Sequence, residues 1–292
     1  MARIGFAPHS ERPKAVKIAK SVGAWLAERG HQAVFLDEVR PPQAQIASIA
    51  DLDLVVSLGG DGTMLRAVGM ALGSGVPVLG VNFGRFGYLT AAEPDGLQHA
   101  IQRFLEGDYH LDRRMTIDAL IIPDGPDGHG SQDGPVGREG EPRYRAAGLN
   151  DIVLARPSGK HTINTSLAIS GERFLSYAAD SMIVSTATGS TGYNLSARGP
   201  IVSPKLRCLV VTPVSPHMLF DRSIVLDPAD EVSFRLQGPC GADLIVDGAP
   251  CGQVEVGEQL VCRMGENDAL LVDFGDRNFE RVLKNKFHLA DR

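Results

Sequence analysis

The chain predicts a Rossmann-like α/β domain with a parallel sheet, a β-rich domain after it, and a C-terminal helix that returns to the first. Three observations carry this expectation. Apolar strand-like runs alternate with amphipathic helical runs through the first third. After about residue 110 the rhythm changes to short strand-like runs bounded by Gly, Pro or Asp. The segment Phe279–Phe287 is charged and amphipathic at helical spacing. Alternation of strand and helix predicts a parallel sheet covered by helices on both faces.

Arg3–Ala7 is a short apolar strand. Lys14–Arg29 places Val16, Ile18, Ala19, Val22, Trp25 and Leu26 near helical spacing, and Gly30 fits a C-terminal stop. Ala33–Leu36 is a second strand, and Leu52–Leu58 a third, apolar enough to be buried on both faces. Thr63–Leu72 reads as a helix, Val76–Val81 as a fourth strand, and Leu97–Leu105 as a helix with a stripe of Leu97, Ala100, Ile101, Phe104 and Leu105. These elements define a first domain over 1–112, joined by the returning segment 275–292.

Residues 113–274 form the β-rich domain. Its expected strands are Arg114–Ile122, Ile152–Ala155, Thr162–Ile169, Met182–Ser185, Leu206–Val211, Ser223–Leu226, Val232–Leu236, Asp243–Val246, Gln253–Val256, Leu260–Arg263 and Ala269–Phe274. Only Ser190–Ala197 reads as helix there. Pro123–Arg143 holds six glycines and four prolines, and Val136 is its only large aliphatic residue, so it reads as a mobile surface insertion between two strands.

The bulk numbers fit two domains of ordinary size in 292 residues, with 43% hydrophobic and 22% charged positions. A net charge of −6 argues against a dedicated nucleic-acid binder. Cys208, Cys240, Cys251 and Cys262 contain no Cys-x-x-Cys pair, so they read as buried thiols and not as a zinc or redox motif. The N-terminus reads as a strand and not as a signal peptide. No stretch reaches the roughly 18 apolar residues of a membrane helix, so the cytoplasm is the expected location.

Two turns carry chemistry. Leu58-Gly59-Gly60-Asp61-Gly62-Thr63 joins a strand to a helix. Glycines allow backbone to approach a ligand closely, and a helix N-terminus favours phosphate. The turn is neither a Walker A loop nor a Gly-x-Gly-x-x-Gly fingerprint. A carboxylate among phosphates holds Mg²⁺, or accepts a proton from an attacking hydroxyl, or simply caps the helix. Arg66, one turn on, balances that charge or meets a phosphate. The second turn, Ser185–Ser196, is rich in hydroxyls and glycines, with Tyr193 beside it. Hydroxyls and free N–H groups suit ribose, phosphate and amide, and an aromatic face suits a base. Two such turns on different domains predict a nucleotide-sized ligand between them.

In order along the chain stand Gly59-Gly60-Asp61-Gly62-Thr63, Asn82-Phe83-Gly84-Arg85-Phe86-Gly87-Tyr88-Leu89, Leu149-Asn150-Asp151, Asp180, and Thr188-Gly189-Ser190-Thr191-Gly192-Tyr193. This set resembles the NAD kinases over about residues 50–275. Pro216-His217-Met218-Leu219 with Arg222, and Val246-Asp247-Gly248, extend the resemblance. It implies phosphoryl transfer from ATP or polyphosphate, with Mg²⁺ carried on the donor phosphates and no direct metal motif. The acceptor is the 2′-hydroxyl of the adenosine ribose of NAD. The resemblance makes Asp61 the proton acceptor, with Gly59, Gly60, Gly62, Thr63 and Arg66 around the same site. Asn150 and Asp151 hold the adenosine, Tyr88 lies against the adenine, and Thr191 and Ser196 contact that base. Asp180, Thr188, Gly192 and Tyr193 hold the nicotinamide-ribose side, with Asn194 and Leu195 in the same block. His161 stands at a position of basic contact, and Asp247 is a candidate ligand contact or a turn residue. The implied assembly is a homodimer or homotetramer.

Several positions depart from the family pattern. Asp151 stands where Glu is usual, Ala178 where Arg is common, Ala187 for Pro, Gly192 for Ala, and Ala249 for a frequent Gln. The missing arginine bears on the donor phosphates, and Arg173, Lys160 and Arg198 are candidate substitutes. A lipid kinase of the diacylglycerol type shares residues 59–63 but has no need of 188–193. A catalytically silent NAD(P)-binding sensor is the alternative that Ala178 favours.

Overall fold

The computed structural model describes residues 1–36, 49–83, 87–123, 141–160, 162–275 and 278–289. The chain folds into two units, Met1–Arg114 with Asn267–Arg292, and Met115–Glu266.

In chain order the first unit begins with β1 (Arg3–Pro8), α1 (Pro13–Ala27), β2 (Gln32–Phe35), β3 (Leu54–Gly59) and α2 (Asp61–Ala71). It continues with β4 (Val78–Asn82), α3 (Leu97–Leu105) and β5 (His110–Arg114). The second unit supplies β6 (Ile117–Ile122), β7 (Tyr144–Gly148), β8 (Asp151–Ala155), β9 (Ile163–Ile169), β10 (Glu172–Ala179) and β11 (Ser181–Thr186). After a 3₁₀ turn at Gly189–Thr191 and a single α turn at Tyr193–Ser196 come β12 (Leu209–Val214), β13 (Ile224–Leu226) and β14 (Val232–Gln237). Then follow β15 (Ala242–Val246), β16 (Ala249–Val254) and β17 (Gln259–Met264). The chain closes with β18 (Ala269–Asp273) and α4 (Phe279–Phe287).

The first unit is a six-stranded sheet in the order β2-β1-β3-β4-β18-β5. All its pairs are parallel except β18 with β5. Every residue of β3 is buried, as a strand covered on both faces requires. In α1, Pro13 opens the helix, and Ala15, Ala19, Val22, Gly23 and Leu26 form its buried stripe. Gly30, at φ +75°, supplies the left-handed turn after it. The core joins Ile4, Phe6, Leu26, Leu54, Leu58, Leu79, Leu97, Ile101 and Val272.

The second unit has two six-stranded sheets, β10-β9-β14-β17-β6-β7 and β13-β12-β11-β8-β15-β16. One core cluster draws on both, with Ile117, Ile121, Leu167, Phe234 and Leu260 from the first and Ile152, Leu154, Met182, Leu209 and Leu244 from the second. This is a sheet-on-sheet packing. Leu120 and Ile122 of β6 form a small separate cluster with Val261 of β17.

Three expectations are corrected. The run Arg114–Ile122 is two strands: β5 ends at Arg114 in the first sheet, and β6 starts at Ile117 in the second unit. Close packing of Gly265 on Thr116, with Gly265 N donating to Thr116 O at 2.8 Å, fixes that break. Second, β18 does not belong to the β-rich unit. It pairs with β4 and β5 and buries Leu271 and Val272, so the unit boundaries fall at 114/115 and 266/267, not 112/113 and 274/275. A strand added beside β4 covers an edge that would otherwise stay unpaired. Third, β7 and β10 were not expected as strands; β7 buries only Gly148. β10 opens with exposed Glu172, Arg173 and Phe174, and its register shifts between Arg173 and Leu175. Most of the Pro123–Arg143 insertion, residues 124–140, lies outside the described residues.

The four cysteines are free thiols, but only Cys208 and Cys262 are buried; Cys240 and Cys251 are partly exposed. Among the described residues no helix is long and apolar enough to cross a membrane.

Candidate functional site

In the first unit, β3 runs through the sheet and turns directly into α2. Gly60 takes the N-cap position with φ −106°, and no side chain caps the helix. Asp61 is therefore the first helical residue, and a plain capping duty does not describe it. The N–H groups of the first turn have no intrahelical partner, and the positive end of the helix dipole lies with them. Thr63 is buried. Gly59 is required sterically, because a Cβ there would overlap the Thr63 side chain. Gly60 and Gly62 are different. A Cβ on either meets nothing within 4 Å, and neither has positive φ. The fold itself does not need glycine at those two positions.

The Asp61 carboxylate lies against the segment 87–89. Tyr88 N donates to Oδ2 and Leu89 N to Oδ1, each at 3.4 Å. Gly87 makes this approach possible, since a Cβ there would overlap Asp61 Oδ1. The Tyr88 hydroxyl is buried without a hydrogen-bond partner among the described residues. Burial, and then the Asp61 charge, push that phenol above its ordinary pKa. Arg66 donates to Pro8 O at 3.4 Å, and burial lowers its guanidinium pKa.

One residue the sequence reading did not single out completes this cluster. Lys286 on α4 places Nζ 3.3 Å from Asp61 Oδ2 and 4.0 Å from the Tyr88 ring centroid. Its separation of 225 positions from Asp61 hides it from any local pattern. The helix that carries it is itself legible, with Asn278 accepting from Arg281 N at 2.9 Å as its cap.

In the second unit the centre is the turn Leu149-Asn150-Asp151. Asp247 organises it. Leu149 N and Asn150 N each donate to the Asp247 carboxylate at 2.7 Å, and Asp151 N at 3.1 Å. Asp247 at φ +49° and Gly248 at φ +78° form the two-residue turn between β15 and β16. An Asp-Gly pair suits that geometry. The turn reading of Asp247 is thus correct, and its carboxylate does something further: it orders the neighbouring backbone.

The Ser185–Ser196 segment packs on the same turn. Thr186 Oγ1 donates to Leu149 O at 2.7 Å, and Thr186 N to Asn150 O at 2.9 Å. A Cβ on Gly189 would overlap the Asn150 backbone, so only glycine fits there. The Cα of Gly192 faces Asn150 and Asp151; a Cβ built on it lies 3.5 Å from Asn150 Nδ2 and 3.7 Å from Asp151 Oδ2. Thr188 is buried, and Thr191 Oγ1 donates to Thr188 O at 3.4 Å. Leu195 is half-buried and Ser196 exposed. Tyr193 is exposed, its hydroxyl 3.5 Å from Ser181 Oγ. Asn194 is fully buried, and its amide is satisfied internally. It donates to Ser190 O and Pro200 O and accepts from Thr212 Oγ1 at 2.7 Å.

Asp151 is only 5% exposed. Burial, and secondarily the charge on Asp247, push its carboxyl up to about 7. Asp247 is also raised by burial, but its three backbone donors oppose that shift. The negative charge of the pair therefore settles first on Asp247. Asp180 pairs with Arg156, Nε to Oδ1 at 2.8 Å, and Arg156 also donates to Lys160 O. The cation beside Asp180, two residues after Ala178, is thus Arg156, which was not among the expected substitutes. Arg173 instead reaches Ser176 Oγ at 3.4 Å. His161 lies outside the described residues. Among those residues no group of three or more His, Cys, Asp or Glu side chains could hold a metal ion.

A helix that opens on Asp61 beside a cation, and a separate polar turn around Asn150 and Asp151, fit a nucleotide-handling protein. Family models give it a name. Residues 43–109 match the ATP-NAD kinase N-terminal domain and residues 149–274 the ATP-NAD kinase C-terminal domain. A protein named NAD kinase from Heliobacterium modesticaldum is 35% identical over 293 residues, covering 98% of each chain. The chain belongs to the NAD kinase family. Two solved structures share its fold. The yeast NADH kinase complexed with NADH superposes with a TM-score of 0.81 at 20% identity, covering 100% of this chain and 89% of the other. An NAD kinase from Archaeoglobus fulgidus in complex with ATP gives 0.75 at 22% identity, covering 99% and 100%.

Proposed function

We infer that this protein is an NAD kinase that transfers the γ-phosphoryl group of ATP to the 2′-hydroxyl of the adenosine ribose of NAD, giving NADP and ADP. Family membership over the whole chain supports the activity. The observation that carries the mechanism is the Asp61 carboxylate at the first position of α2, beside two glycines that the fold does not require. Asp61 takes the proton of the 2′-hydroxyl as that oxygen bonds to the γ-phosphorus and the bond to the β-phosphate oxygen breaks. Such general-base action contributes about 10²–10⁴-fold. Open space over Gly60 and Gly62 lets donor oxygens approach the first-turn N–H groups, with Arg66 alongside.

Asn150 and Asp151 hold the adenosine, and Tyr88, Thr191 and Ser196 meet its base. Asp180, Thr188, Gly192 and Tyr193 hold the nicotinamide-ribose side. Mg²⁺ fits a site with one carboxylate and no protein cage, because it is commonly bound through one or two carboxylates plus substrate phosphates. When bound, it neutralises charge on the donor phosphates. A homo-oligomeric assembly in the cytoplasm belongs to the same reading.

The test is direct. Pure protein is incubated with NAD, Mg²⁺ and either ATP or polyphosphate, and NADP is followed by a coupled dehydrogenase. NADP formation is expected with ATP; none with either donor overturns the kinase in favour of a silent NAD(P)-binding sensor.

A further inference from the structure

A carboxylate at the start of a phosphate-binding helix raises an electrostatic difficulty. Donor phosphates and Asp61 repel one another unless a cation lies between or beside them. The difficulty grows if the only neutralising charge is carried in with the donor, because Asp61 then has to be held in place before the donor arrives. The first unit contains a resident answer. Lys286 lies 3.3 Å from Asp61 Oδ2 and at the same time 4.0 Å over the Tyr88 ring.

The arrangement is specific in three ways. The 3.4 Å hydrogen bonds from Tyr88 N and Leu89 N are long, and by themselves they hold the carboxylate loosely. Lys286 supplies the third and charged contact, on the same oxygen that Tyr88 N approaches. The ring of Tyr88 fixes the ammonium in turn, since a cation over an aromatic face is attracted to it. Finally, α4 anchors the lysine: its Asn278 cap is formed and Val282 is buried.

We propose that Lys286 is a positioning residue for the phosphoryl transfer, holding the Asp61 carboxylate against the Gly87–Leu89 backbone and offsetting its charge where donor phosphates approach. This inference rests on the NAD kinase reading. It adds α4, a segment beyond both matched family domains, to the catalytic apparatus. The ring that seats the ammonium keeps its hydroxyl buried, without a hydrogen-bond partner among the described residues.

The experiment compares Lys286→Met, Lys286→Arg and Lys286→Ala with the wild-type full chain. Readouts are kcat and KM with ATP and NAD, NAD affinity by equilibrium titration, and melting temperature. Loss of correct placement predicts a fall in kcat of about 10²-fold for Lys286→Met, with NAD affinity and melting temperature near wild type. Lys286→Arg restores most of the rate, and added ethylammonium partly restores Lys286→Ala in a saturable way. A structural role alone produces neither rescue. Wild-type kcat in Lys286→Met, or equal losses in Met and Arg variants without ethylammonium rescue, overturns the proposal. An inactive wild type would instead overturn the kinase reading, so the two failures are distinguishable.

Discussion

Replacing Asp151 with Asn should stabilise the protein at alkaline pH while weakening its use of NAD. The side chain is 5% exposed, and its pKa rises from 3.8 to about 7. A carboxyl raised in this way binds its proton more tightly folded than unfolded. Its contribution to stability is therefore intact below the unfolded pKa and is lost as pH climbs from about 4 to about 7. Each unit of difference is worth about 1.4 kcal/mol. At pH 8 the whole shift is felt, and ionising Asp151 costs the fold about 4 kcal/mol. At pH 5 the folded side chain is still protonated while the unfolded one is ionised, and the cost is about 2 kcal/mol. Asn keeps the shape and carries no charge, so its gain over Asp should be about 2–3 kcal/mol larger at pH 8 than at pH 5. Any fixed cost of the amide cancels in that difference. The facing charge is that of Asp247, which its three backbone donors hold ionised in preference to Asp151. Urea unfolding of both proteins at the two pH values, followed by far-UV circular dichroism, measures the quantity. A gain that is the same at both within about 0.5 kcal/mol would refute a buried, proton-binding Asp151.

Four further outcomes follow from the geometry. Asp61→Asn should keep NAD affinity in equilibrium titration while turnover falls about 10²–10⁴-fold, and undiminished turnover would reject the base role. Gly59→Ala should lose about 1–3 kcal/mol in chemical unfolding, because its Cβ enters the Thr63 side chain, whereas Gly60→Ala should unfold like wild type and instead raise the KM for ATP. Gly189→Ala should be destabilised by a similar amount or more, since the Asn150 backbone cannot move aside as a side chain can. Asn194→Ala should cost about 1–3 kcal/mol by stranding buried polar groups, with the KM for NAD changed less than about twofold.

Much of the fold was legible because its signals are local. The run of β3 is almost continuously apolar, the stripe Leu97–Leu105 and the amphipathic run Phe279–Phe287 are periodic, and the last two appear with the same bounds in the structure. The Asp-Gly turn at 247–248 was legible for the same reason, since turn chemistry is written in adjacent residues. The strands β7 and β10 were not, because their apolar signal is weak: β7 buries only Gly148, and β10 opens on three exposed residues. The partners of the site residues were hidden for a different reason. Arg156 meets Asp180 through strand pairing, as its backbone N–H donates to Asp180 O.

By itself, then, the sequence determined most of the strands and helices in their order, the two glycine-rich turns, and the residue types that mark the family. Those properties follow from neighbours within about four positions of one another, where backbone preference and periodicity act. The tertiary structure alone decided which sheet received Ala269–Asp273, that the Asp247 carboxylate orders Leu149–Asp151, and that Lys286 rests on Asp61. Each of these joins residues distant in sequence, and each is settled by edge pairing, burial and charge, which act only once the chain has folded.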